Sequence, residues 1–457
     1  MRRHHRGQMI RRNKRPGIFS YVVMGLLTLF LWLPQGAFPA LPPVQRTILP
    51  NRLVLLFCEE HSLPFVTLQL LIDSGARQDP PGREGLSYMT ARGLLLGTPK
   101  RSVTAINEEL DFMGAGLSAS SGRDYTTVVL RVLKKDLDKG LDLLMDALRQ
   151  PAFPDDEIRR EVEKTLAAIQ SQEDQPDEVA EKAFQRDLYL STSYAHPVQG
   201  TKESLSRLTR DALVSFYRTY YHPNHSILTV AGDVTADELN TKILPRFTNW
   251  PTSEVPVVPF TAAYAKEPKV TKIDRKITQA NIILGHTGVS RANPDYYALT
   301  VMNYILGGGG FSSRLVEEIR DKRGLAYSVT SYFDPGKYPG AFQIVLQTKN
   351  SSAREAISLS LQEMSRIQRE GVTEKELEAA KKYLIGSFPM RLDTQGKLVT
   401  FLTQVEYYGL GLDYPEKYPS LIRSVTREDV LRVAKTYLRP ESAILVVVAD
   451  LKEAGMD

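Results

Sequence analysis

Cysteine is nearly missing from this chain of 457 residues: Cys58 is the only one. No intramolecular disulfide can form, and no cysteine-built metal cluster exists. Histidine is scarce, seven in all, and two of those fall within the first five residues. Beyond the first forty residues no apolar run reaches the ~20 residues that a membrane-crossing helix needs. Nor does that body carry a basic patch of the kind that marks nucleic-acid binding. These absences exclude a disulfide-stapled scaffold, a polytopic membrane protein and a nucleic-acid binder. Against them stand 42 % hydrophobic and 24 % charged residues, the composition of an ordinary globular body. At roughly 100–200 residues per domain, the length predicts two or more domains.

The amino terminus reads as a targeting segment. Arg2, Arg3, Arg6, Arg11, Arg12, Lys14 and Arg15 are followed by an apolar run from Phe19 to Trp32, then by Ala37-Phe38-Pro39-Ala40. Basic, apolar, then small is the order of a secretory signal peptide. We expect residues 1–40 to be removed and the protein to be exported, to a bacterial periplasm. A retained leader acting as a membrane anchor is the competing expectation, and its apolar run is short for a span. Removing those seven cationic residues takes the formal charge of +5 to −2 for a chain beginning near Leu41. Cys58, inside the apolar stretch Leu53–Cys58, is expected to be a buried strand residue.

The body contains itself twice. Thr209-Arg210-Asp211 recurs as Thr426-Arg427-Glu428, and Tyr220, Pro223, Ile227, Leu228 and Asp233 recur as Tyr437, Pro440, Ile444, Leu445 and Asp450, all at an offset of 217. In each copy a Thr-capped helix leads through Tyr-x-x-Pro into a strand, Ser226–Ala231 or Ala443–Ala449. Val66–Ser74 and Ala280–Gly288 read as matching strands, each followed by a turn and a helix, Glu84–Leu96 and Pro294–Leu306. An offset this long means two homologous domains of roughly 200 residues rather than a solenoid. Their expected limits are 41–250 and 270–457. Residues 251–269, with Pro251, Pro256, Pro259 and Pro268, form an extended linker. Further strands at Arg52–Cys58, Gly116–Ser121 and Tyr125–Val132 mix with helices at Thr104–Gly114, Leu137–Leu148 and Asp155–Gln172. Adjacent hairpin-like strands without strict alternation predict an α+β fold, each domain a mixed, largely antiparallel sheet with helices packed on it. Asp155, Asp156, Glu157, Glu161, Glu163, Glu173 and Asp174 read as a solvated acidic helix face.

The segment from Gly85 to Thr98, Gly-Leu-Ser-Tyr-Met-Thr-Ala-Arg-Gly-Leu-Leu-Leu-Gly-Thr, resembles the zinc-binding helix of the insulinase/pitrilysin-type peptidases. In active members that helix carries His-x-x-Glu-His, two zinc ligands and a general base. The matching positions here are Tyr88, Ala91 and Arg92. The family's third ligand, a Glu within a Glu-x6-Glu helix, falls on Ala168, counted from Glu161. The resemblance therefore implies a degenerate zinc site, with no metal and no cofactor held by this chain and no catalytic residue of its own. Arg92 adds a fixed positive charge where a dication would sit. No other histidine set replaces it: His222 and His225 read as a turn entering a strand, and His196 and His286 lack an acidic cluster.

The second copy holds Gly307-Gly308-Gly309-Gly310-Phe311-Ser312-Ser313-Arg314 and, farther on, Arg320-Asp321-Lys322-Arg323-Gly324-Leu325-Ala326-Tyr327. Ser312 or Ser313 can cap a helix running to about Lys322, Gly324 supplies a left-handed cap, and Leu325–Phe333 alternates as a strand. Arg320 and Tyr327 thereby share one end of the layer and offer two donors. The stretch resembles the substrate-binding segment of the family's zinc-free half, where such an Arg–Tyr pair holds the substrate carbonyl and its developing oxyanion. Gly307 to Gly310 is no phosphate loop, since no Gly-Lys-Ser/Thr follows. It is expected as a mobile loop, similar to but shorter than that of the non-catalytic subunit of mitochondrial processing peptidase. The resemblance, over about Pro50 to Leu451, implies a two-domain clamshell and a metallopeptidase that is active only with a homologous, zinc-bearing partner subunit. This chain would hold an extended peptide substrate, with zinc on the partner and no membrane contact after leader cleavage. A stand-alone peptide-binding or assembly protein of the same fold is the alternative.

Overall fold

The structure, a computed structural model, describes residues 42–190, 192–260 and 264–457. The leader and its cleavage site lie outside the described residues. Eleven strands among the described residues form two sheets. The first contains β1 (Val44–Ile48), β2 (Val54–Glu59), β3 (Phe65–Ile72), β4 (Gly116–Ser121), β5 (Thr126–Leu133) and β6 (Ser226–Gly232), in the order β1-β2-β6-β3-β5-β4. The second contains β7 (Lys269–Asp274), β8 (Gln279–Thr287), β9 (Ala326–Phe333), β10 (Ala341–Lys349) and β11 (Ile444–Ala449), in the order β7-β11-β8-β10-β9. In each sheet one pair is parallel, β2 with β6 and β11 with β7, and the other pairs are antiparallel. Without its extra edge strand β1, the first sheet follows the same path as the second, which is the repeat seen in sequence.

The helices used below are α1 (Leu86–Gly93), α2 (Val103–Met113), α3 (Leu137–Arg149), α4 (Asp155–Glu173), α5 (Pro176–Tyr189) and α6 (Arg210–Tyr220) in the first half. The second half supplies α7 (Tyr296–Asn303), α8 (Ala353–Glu370), α9 (Glu374–Ser387), α10 (Gln395–Tyr407), α11 (Tyr414–Arg423) and α12 (Arg427–Tyr437). Two of these caps follow from sequence: Thr209 accepts the Ala212 N–H at 3.3 Å, and Thr426 accepts that of Asp429 at 3.1 Å. Asp429 returns the contact by accepting the Thr426 N–H at 3.0 Å, a reciprocal box.

The central strands are apolar on both faces because both faces are covered. Successive side chains of β2 part to opposite sides. Leu55 and Phe57 enter the large core shared with Leu141, Leu144 and Phe216, while Leu56 and Cys58 enter a second core with Leu398, Val399 and Leu402. Cys58 is fully buried, as its surroundings in sequence imply, and burial pushes its thiol up to about 11.

That second core reveals an exchange that local sequence pattern did not announce. Helix α10, from the second half, lies on β3 and β6 of the first sheet. Helix α5, from the first half, lies on β8 and β11 of the second, burying Ala180, Phe184 and Leu188 against Ile283, Val446 and Val448. Adding the repeat offset to α5 lands on α10, so the two exchanged helices are equivalent elements. Polar contacts pin both. Thr229 and Thr403 share a buried hydroxyl bond of 2.7 Å. On the other side the buried Asp187 takes Lys269 Nζ at 2.7 Å and the Thr271 hydroxyl at 2.6 Å. Burial of Phe, Leu and Val side chains is worth ~1.5–3 kcal/mol each, so each half completes its core with the other's helix.

Two sequence expectations shift here. Strand β7 begins at Lys269, the last residue of the expected linker. Strand β1 was unforeseen, because four of its five residues are exposed and show no alternation; it is held by backbone pairing to β2.

Candidate functional site

Helix α1 starts where Asp79, buried in the preceding turn, accepts the N–H groups of Gly85 and Ser87, both at 2.8 Å. Burial pushes that carboxyl up to about 7 in spite of the two bonds. The positions that resemble a zinc-binding helix then separate. Tyr88 and Arg92, one turn apart, share the half-buried face, with the guanidinium 5.8 Å from the phenol ring centre. Ala91 is fully buried. From α4, Glu161 reaches across and pairs with Arg92 Nε. Glu161 is therefore buried, not part of a solvated acidic face as its neighbours in sequence suggest. Ala168 lies two turns beyond Glu161 along the same side of α4 and is exposed.

These groups do not fit a zinc ion. A phenol, two methyls and a guanidinium stand at the ligand and base positions, and the one nearby carboxylate, Glu161, is neutralised by Arg92. Zinc needs about three nitrogen, sulfur or oxygen ligands with lone pairs to give. Among the described residues no group of three or more His, Cys, Asp and Glu is placed to hold a metal. Two of the remaining histidines are tied up locally. His222 contacts the Arg218 carbonyl at 2.7 Å, and His286 accepts the Arg439 N–H at 3.1 Å, its pKa pushed down to about 4 by burial.

The second constellation forms around Arg320. A helical segment closes at Gly324 (φ 62°), where Gly324 N–H reaches the Arg320 carbonyl at 2.8 Å and Leu325 N–H the Ile319 carbonyl at 2.9 Å. Each bond spans one residue more than in a Schellman closure, as suits the end of a π-helical turn, and the turn leads the chain directly into β9. Arg320 at the helix end and Tyr327 at the strand start are brought together, the guanidinium carbon 5.4 Å from the Tyr327 ring centre. Phe311 covers the other approach at 4.7 Å. Tyr327 and Phe311 are 80 % and 76 % exposed. Such stacking is worth ~0.5–1 kcal/mol at the surface, enough to bias the Arg320 rotamer without consuming its N–H donors. Among the described residues Arg320 has no carboxylate partner. Phe311 is the residue that sequence reasoning missed; its place after the glycine run was the available signal.

The glycine run is more packed than a mobile loop. Gly307 and Gly308 complete a π-helical turn after α7. A Cβ on Gly307 would meet Ser331 Oγ at 2.5 Å, and one on Gly309 the Tyr304 carbonyl at 2.6 Å. Only Gly310, at φ 55°, faces open space. Ser313 precedes the next helical turn, yet its hydroxyl donates back to the Gly310 carbonyl at 2.7 Å rather than capping that turn. The turn is anchored instead by buried Arg314, which donates to both Glu376 oxygens at 2.6 and 2.9 Å and to the Gly371 carbonyl at 2.9 Å.

Comparison with known proteins places this geometry. Residues 55–202 match the model of the insulinase family (peptidase family M16), and residues 207–384 match that of the peptidase M16 inactive domain. The chain therefore belongs to the M16 insulinase-type peptidase family. An uncharacterized zinc protease of Streptomyces coelicolor is 30 % identical over 419 residues, covering 90 % of each chain. The non-peptidase homolog YmxG of Helicobacter pylori is 24 % identical, covering 95 % of this chain and 99 % of that one. The crystal structure of a peptidase M16 inactive domain from Pseudomonas fluorescens superposes with a TM-score of 0.83 at 27 % identity, over 89 % of this chain and 98 % of that one. The α+β class and the two-sheet architecture expected from the repeat are those of this family.

Proposed function

We propose that this chain is the non-catalytic, substrate-binding subunit of an exported two-chain zinc peptidase. The observation that carries the reading is the contrast between two sites in one polypeptide. The helix that would bind metal is closed by the Arg92–Glu161 pair, while Arg320 and Tyr327 stand together with their donors available. A homologous partner would bring zinc, and this chain would hold an extended peptide by strand addition, with Arg320 and Tyr327 on its carbonyl. Export to the periplasm and removal of residues 1–40 belong to the same proposal, and amino-terminal sequencing of the mature chain tests them.

The decisive assay is peptide cleavage by the chain purified with a zinc-bearing homologue. The double variant Arg320→Ala, Tyr327→Phe is expected to lower kcat/KM by about 100- to 1,000-fold, the usual cost of a lost oxyanion donor. Wild-type rates in that variant would overturn the assignment. The name of the Helicobacter pylori relative favours a second reading, a peptide-binding protein with no hydrolytic role. Peptide binding that persists with no cleavage beside any homologue would select it.

A further inference from the structure

Three arginines are buried among the described residues: Arg77, Arg291 and Arg314. Two are closed by carboxylates, Arg77 by Asp73 at 2.8 Å and Arg314 by Glu376. Arg291, in the loop after β8, has none. Its guanidinium lies 3.8 Å from the Tyr296 ring centre and 5.5 Å from that of Tyr414, and Nη2 donates to the Tyr414 hydroxyl at 3.0 Å. Nε and Nη1 have no such partner, and neither is cut off from solvent. A buried charge normally carries a counter-charge, because desolvation without one is costly.

The unpaired guanidinium lines a cavity of about 750 Å³ at the junction of the two halves, within the size range of small-molecule sites. About half of its wall is aromatic and apolar, with Tyr125, Phe401, Tyr408, Met390, Val405 and Leu410, and the rest is polar. The charged lining consists of Arg291, Arg391, Lys397 and Asp334. Asp334 lies 3.4 Å from Arg123, and Lys397 2.7 Å from Asp393, outside the lining. Arg391 has no ion pair among the described residues and rests on the rings of Phe388 and Tyr418, each 5.5 Å away. Two cations are therefore left over, one of them buried, beside an apolar wall.

We propose that this cavity binds an apolar carboxylate, the terminal residue of a peptide or a free carboxylic acid, with Arg291 as its counter-ion. A planar carboxylate matches the guanidinium fork, and the tyrosine and aliphatic walls take the apolar body. The site stands apart from the Arg320–Tyr327 pair and does not depend on the role given to it.

The test is calorimetric titration of the full chain with N-acetylphenylalanine, its amide and octanoate. The acid is expected to bind at least ~10-fold more tightly than the amide, the worth of one charge-assisted contact. Octanoate binding as well as acetylphenylalanine points to free acids, and octanoate failing to bind points to peptide termini; either result upholds the proposal. Arg291→Gln is expected to erase the preference for acid over amide. To separate loss of binding from loss of folding, Gln404→Trp, at an exposed wall position whose side chain makes no hydrogen bond among the described residues, serves as the second variant and should block binding by filling the cavity. The Arg320→Ala, Tyr327→Phe protein should bind as wild type, which separates this site from the peptidase reading. Equal binding of acid and amide, no binding of either, or an acid preference surviving both variants would overturn it.

Discussion

The two halves of this molecule thread their strands along the same path, yet two arginines in each have been settled in opposite ways. In the first half, Arg77 follows β3 and is locked by Asp73, with Asp124 3.7 Å away, and Arg92 is locked by Glu161. In the second half, Arg291 follows β8 at nearly the same place and has only tyrosines, and Arg320 lies between two exposed rings. A shared topology fixes where an arginine can stand. What faces it decides whether it is structural or open to a ligand. Of these four, the two in the first half are closed by carboxylates and the two in the second are open.

The comparison breaks most severely at the exchanged helices. Phe184→Ala removes a fully buried ring that α5 sets against Gly285 of β8, and is expected to cost ~3–5 kcal/mol. Leu402→Ala does the same to α10 on the first sheet, at ~2–5 kcal/mol. Calorimetric melting should show one transition moving down in both variants. Two separate transitions in the wild type would mean that the halves do not depend on each other.

A smaller effect sharpens the contrast between closed and open arginines. Burial works against the charge on Glu376, but the Arg314 bonds and the Thr373 N–H outweigh it and hold the carboxyl at about 2, against an ordinary 4.5. The sign is that of a depressed acid. The pair's contribution is whole above pH 4.5 and drains away as pH falls toward 2. Glu376→Gln is expected to cost roughly 2–3 kcal/mol at neutral pH, and the gap to wild type should narrow through that acid window in denaturant titrations. A gap independent of pH would sink the assignment.

The mildest test compares repeat-equivalent caps. Thr426→Ala should destabilise by about 1 kcal/mol, and Thr209→Ala by less. Thr426 belongs to a reciprocal box with Asp429, whereas Thr209 makes a single cap bond. Equal losses would show that the bond from the Thr426 hydroxyl to the Asp429 carboxylate, at 3.0 Å, contributes nothing.

Much of this was legible in the chain, for local reasons. Strands β3, β6, β8 and β11 are apolar runs bounded by turn residues. Gly324 announces the closure that brings Arg320 beside Tyr327. That Tyr88, Ala91 and Arg92 occupy a segment resembling a zinc-binding helix, with no histidine among them, is visible by inspection. What stayed hidden depends on distance along the chain. Helical periodicity tells that α5 and α10 have apolar faces, but not that each lies on the other half's sheet. The Arg92–Glu161 contact joins residues 69 apart, and Glu161 looked like one acid among several. The Ser313 hydroxyl is turned back to donate to the Gly310 carbonyl and accepts no helix N–H, so the expected cap did not form. The glycines read as loose because glycine permits motion; here they permit close approach to Ser331 and Tyr304.

The traded helices also set a timetable for biogenesis. A nascent chain that has emerged only as far as the proline-rich stretch still shows Leu56, Leu71 and Ile227 to water, because their cover, Leu398 to Leu402, is yet to be synthesised. The amino-terminal portion thus stays unfinished until nearly the whole polypeptide is made, so the two halves mature together rather than one after the other.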